Sequence, residues 1–70
     1  MIYSLINVVS ETASHVIGSL VQDFTGDYQE AQQFAKETEQ ANSNRIKIAV
    51  CDGVNSGNIG SSFTVKKATK

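Results

Sequence analysis

Cys51 and His15 are the only thiol and the only imidazole in the chain, so they are the one pair that could make a nucleophile and its base. A cysteine attacks as the thiolate, which needs a neighbouring base or cation. His15 could serve only if the start of one predicted strand lay beside the end of another. The plainer expectation is that Cys51 is a small apolar filler at a strand end and His15 a polar hairpin residue. One Cys and one His cannot supply four zinc ligands, and a lone Cys rules out a disulfide within the chain.

The segment Asp52–Ser61 is rich in Gly and Asn, like loops that cradle phosphates. It lacks both glycine fingerprints of nucleotide sites, and no helix follows to offer its N-terminus. Gly57-Asn58-Ile59-Gly60 has the Gly-x-x-Gly shape that clamps a nucleic-acid backbone between two helices. Here the flanking segments read as strands, so a hairpin loop is expected. Asp52, Asn55 and Asn58 miss the alternate spacing of a calcium loop, with Val54 at a ligand position. Glu30, Glu37 and Glu39 fall on the outside of a helix, not across a pocket, and read as an acidic helix face. No catalytic, metal or cofactor site is expected, and the chain reads as a non-enzyme.

The elements that would hold any site follow from periodicity. Residues 2–10 are β-rich and apolar on both parities, with Ile2, Ile6 and Val8 on one face and Tyr3, Leu5 and Val9 on the other. A strand of that kind sits inside a sheet. Glu11–Ser14 is a polar hairpin break. Residues 15–24 form a second strand, with Val16, Leu20 and Phe24 on one face and Ile17 and Val21 on the other. Gly18 in its middle points to a bulge or a close backbone approach. Asp27 with Glu30 three residues on is a capping-box pair, and Tyr28, Ala31, Phe34, Ala35, Thr38 and Ala41 form the buried stripe of a helix over 28–41. Asn42-Ser43-Asn44 ends it. Residues 45–51 alternate as a third strand and 62–67 as a fourth, with 68–70 as a frayed tail. The expected fold is α+β: a two-layer ββαββ domain over 1–70, a four-stranded, mostly antiparallel sheet with one amphipathic helix on one face.

One alanine-rich helix covers only one sheet face. A chain of 70 residues has a marginal core, and leaving several large apolar side chains in water forfeits about 25 cal/mol per Å². Either the last strand, the loop or a bulge at Gly18 folds over the second face, or that face is an interaction surface. One parity is left uncovered, Tyr3, Leu5 and Val9 or else Ile2, Ile6 and Val8; the surface expected is Tyr3, Leu5, Val9, Ile17 and Val21, for a second copy or a larger host protein complex.

Charge is split along the chain. Residues 1–43 hold six of the seven acids and only Lys36 among the bases, while residues 44–70 hold Arg45, Lys47, Lys66, Lys67 and Lys70 against Asp52. The basic end suggests an alternative, nucleic-acid contacts by Arg45, Lys47, Lys66 and Lys67, though stacking aromatics are missing there. The acidic helix face suggests a charge mimic. Size, element order and absence of chemistry resemble the small inhibitors encoded by phages and mobile elements, anti-CRISPR proteins among them. That likeness is one of architecture and is carried by no residue motif. Residues 1–9 lack a basic leader and no run is long enough to span a bilayer, so no membrane association is expected. With one free thiol, a cytoplasmic setting is expected.

Overall fold

Valine, isoleucine and aromatic residues crowd the first 25 positions, and in the computed structural model they form one long hairpin. It joins β1 (Ile2–Glu11) to β2 (His15–Thr25), and is followed by α1 (Tyr28–Ala41), β3 (Ile48–Asp52) and β4 (Phe63–Lys66). The structure describes residues 1–53 and 61–69. The sheet runs β3-β1-β2-β4 and is antiparallel at every pairing, with β1 in the interior as its apolar character requires.

The helix starts where its capping chemistry dictates. The Asp27 carboxylate accepts from the Glu30 N–H at 2.8 Å, and the Glu30 carboxylate accepts from the Asp27 N–H at 3.0 Å. Asn42 caps the other end, and Ser43 and Asn44 take left-handed φ values of 59° and 56°. That turn delays the third strand. Arg45, Ile46 and Lys47 precede β3 instead of opening it, because only Ile48–Asp52 pairs in register with Asn7–Tyr3.

Two bulges govern the hairpin. Leu5 pairs with Gln22 and Ile6 with Leu20, so Val21 is extra in β2; Val8 pairs with Gly18 and Ser10 with Ile17, so Val9 is extra in β1. Each bulge resets the two-residue alternation and bends the strand. Phe24 therefore faces α1, its ring 5.3 Å from that of Phe34, while Leu20 joins the opposite face. The expectation that Val16, Leu20 and Phe24 share a face fails for this reason. Gly18 sits at the tightest point. A Cβ there would overlap the Asn7 carbonyl oxygen and lie 2.8 Å from Ile6 Cγ2.

The bends curl the sheet until its ends meet. Past β4, the Lys67 N–H donates to the Ser14 carbonyl at 2.9 Å on the β2 side. Lys67 also bridges Cys51, and the Ala68 N–H donates to the Val50 carbonyl at 3.1 Å, both on the β3 side. The second sheet face thus becomes the inside of a small barrel, filled by Ile6, Val16, Cys51 and Val65 with Leu20 and Phe63 packed around them. Fully burying side chains such as Ile6 and Val16 stabilises by roughly 1.5–3 kcal/mol each. Ala68 is not frayed; it is buried against Tyr3 and Ala31. Lys70 lies outside the described residues.

On the outer face, α1 lies over β3 and the first half of β1. Tyr3 packs on Ala31, and Leu5 on Ala35 and Ile48. Both were expected on an uncovered surface. They are 2% and 0% exposed, because the helix chose their face and the curl closed over the other.

Candidate interaction surface

Cys51 is inside the barrel, where burial, with the Asp52 charge adding to it, pushes the thiol up to about 11. A buried neutral thiol is neither a nucleophile nor a metal ligand. His15 is exposed and its Nδ1 hydrogen-bonds the Ser14 hydroxyl at 2.8 Å. Among the described residues, no group of three His, Cys, Asp or Glu side chains gathers to hold a metal. The Gly57–Gly60 segment lies outside the described residues.

The four basic candidates separate. Lys47 and Lys67 converge on one carboxylate, Glu11, which takes Lys47 on one oxygen and Lys67 at 2.8 Å on the other. The two ammonium groups hold the Glu11 carboxyl down to about 2, and Glu11 in turn raises Lys47. This trio ties the end of β1 to the start of β3 and the end of β4. Nothing in the sequence singled out Glu11, since its partners are 36 and 56 positions away. Lys66 pairs across from His15 on β2, and Arg45 stands exposed in the turn after α1.

The acidic helix face is largely committed to structure. Glu30 completes the helix cap. Glu39 accepts the Ile48 N–H at 2.7 Å, and Glu37 accepts from Gln33 Nε2 at 3.1 Å. Glu39 and Ala68 together occupy outward backbone groups of β3, at Ile48 and Val50. The groove of about 520 Å³ between α1 and β3 therefore has a blunted strand edge for a floor.

What remains is apolar. Val9 is 73% exposed, and Ile17 and Val21 are each 42% exposed. The register puts Ile17 on the outer face of the hairpin, opposite Ser10, and leaves Val9 and Val21 as the unpaired bulge residues. Leu5 faces the helix, so Gln22 opposite it, and Asn7 and Ser19 one step on, share that face. The two bulges add Val21 beside Gln22, and Val9 beside Ser10 across from Ile17. On β4, Thr64 continues the row from Ile17. The sequence named Val9, Ile17 and Val21; it missed that Val9 and Val21 would be the two bulge residues. The signals available were Gly18 and the uninterrupted Val8-Val9 pair.

No family model matches this chain, and neither the curated proteins nor the solved structures compared with it give a match. No helix among the described residues is long and apolar enough to cross a membrane.

Proposed function

We propose that this chain is a small, non-enzymatic protein-interaction module. Its contact surface is the outer face of the β1–β2 hairpin, and its setting the cytoplasm. One observation supports this reading: Val9, Ile17 and Val21 are large aliphatic side chains left exposed along the β1–β2 hairpin. Single exposed valines are ordinary, but three large aliphatic side chains left in solvent on one hairpin of a domain this small favour a contact surface. Action as a compact inhibitor of a larger protein complex, of the kind phages and mobile elements encode, fits the size and the surface. Nucleic-acid binding by the basic end is less well supported, since two of its four cations are spent on Glu11.

The test is site-specific photo-crosslinking in cells of the natural source. A photoreactive residue at Ile17 or Val21 is expected to give discrete protein adducts, and one at Gln33 on the helix is not. Absence of adducts from both hairpin positions, or the same adducts from Gln33, overturns the reading.

A further inference from the structure

The groove between α1 and β3 has amides on one side and ammonium groups on both. Gln29, Gln32, Gln33 and Lys36 recur at helical spacing and line it from α1. Lys47 and Lys67 line it from the other side. Its volume of about 520 Å³ is in the range of small-molecule sites, roughly 300–1,000 Å³. Donors are in excess there. Both lining carboxylates already accept: Glu11 takes Lys47 and Lys67, and Glu39 takes the Ile48 N–H. Lys36 and Gln29 have no hydrogen-bond partner among the described residues. The Lys47 and Lys67 ammonium groups offer three N–H donors each, and Glu11 needs only one of each.

We infer that this groove binds a phosphate group, free or carried on a small ester. Three ammonium groups stand against two carboxylates in the lining. That surplus draws one anion and falls short of the run of cations a nucleic-acid backbone needs. Lysine acts on phosphate as a point charge, whereas the planar fork that reads a carboxylate belongs to arginine, and no arginine is among the described lining residues. Phosphate brings three strong acceptor oxygens and close to two negative charges at pH 7. The flexible lysine stems let ammonium groups from both sides turn towards it. Ala35, Ala49 and Ala68 leave small apolar side chains in the lining, on which the body of an ester can rest. The site does not use the outer face of the hairpin and is independent of the interaction-module reading.

The test is an NMR titration of the isotope-labelled chain with inorganic phosphate and with adenosine monophosphate, at low salt where screening is weak. Both probes are expected to saturate with a millimolar Kd and to shift the side-chain amides of Gln29, Gln32 and Gln33. Adenosine, which lacks the phosphate, is expected to leave them in place. Lys36→Ala removes an exposed side chain with no ion pair, so the backbone spectrum should hold while Kd rises roughly threefold or more. Lys66→Ala, outside the groove, is expected to leave Kd unchanged. Tighter binding of the nucleotide than of inorganic phosphate assigns an ester as the ligand, and equal affinity assigns the free anion. Shifts that do not saturate, shifts as large at His15 and Lys66 as in the groove (an adventitious ion only), the same response to adenosine, or a Kd indifferent to Lys36→Ala overturns the inference.

Discussion

The outer face of the β1–β2 hairpin has two halves made from the same strands. In the first half Tyr3, Leu5 and Phe24 lie against Ala31, Ala35 and Phe34 of the helix. In the second half Val9, Ile17 and Val21 lie in solvent. Apolar character does not separate them, since Tyr3, Leu5 and Phe24 in the first half and Val9, Ile17 and Val21 in the second are all large apolar strand formers. The difference is reach. Fourteen residues of helix span about 21 Å, and that length is laid over β3 and the near half of β1. On this outer face an apolar residue is buried or exposed according to where one helix ends.

The largest effect is expected at the bend that makes the two halves. Gly18→Ala should cost at least about 3 kcal/mol, because its Cβ would meet the Asn7 carbonyl and Ile6. In a core of this size that leaves little folded protein. Urea unfolding followed by circular dichroism measures it, and a loss under ~0.5 kcal/mol would refute the close approach. Next comes the direct contrast. Leu5→Ala in the covered half should cost about 2–5 kcal/mol, and Val9→Ala in the uncovered half less than ~0.5 kcal/mol. Similar losses at both sites would erase the distinction.

A smaller effect tests the cover itself. Asp27→Ala removes the N-cap and should cost about 1 kcal/mol. Native-state hydrogen exchange should show the loss at the amides under α1 and leave those around Ile17 less affected. The smallest effect lies in pH dependence at the barrel mouth. Glu11 has its carboxyl lowered from 4.5 to about 2 in the folded chain. A lowered carboxyl stabilises the fold above its unfolded pKa, and the contribution fades as pH falls from about 4.5 towards 2. Acid titration of stability should show this slope in the wild type, and Glu11→Gln should flatten it. An unchanged slope would mean that Lys47 and Lys67 do not hold Glu11 in solution.

Much of the architecture was legible because its causes are local. Alternation marked the strands, the Asp27–Glu30 pair marked the helix start, and Gly18 marked a point of close approach. The boundary at β3 was not, because the Ser43–Asn44 turn and the register with β1 decide where pairing begins. The candidate site was half legible. Val9, Ile17 and Val21 were assigned to one surface from parity, but Tyr3 and Leu5 were assigned with them and belong under the helix.

The sequence by itself determined the element order, the helix and its cap, the interior place of β1, and an apolar content that one helix cannot cover. It did so through short-range rules: side-chain period, capping hydrogen bonds and the space a glycine leaves. Only the tertiary structure decided which face each apolar residue serves. Two bulges reverse the alternation partway along the hairpin. The bridge from Lys67 to Cys51 closes the sheet on itself, and Glu11 gathers two lysines from distant segments. Those outcomes depend on register and curvature, which come from contacts between residues far apart in the chain.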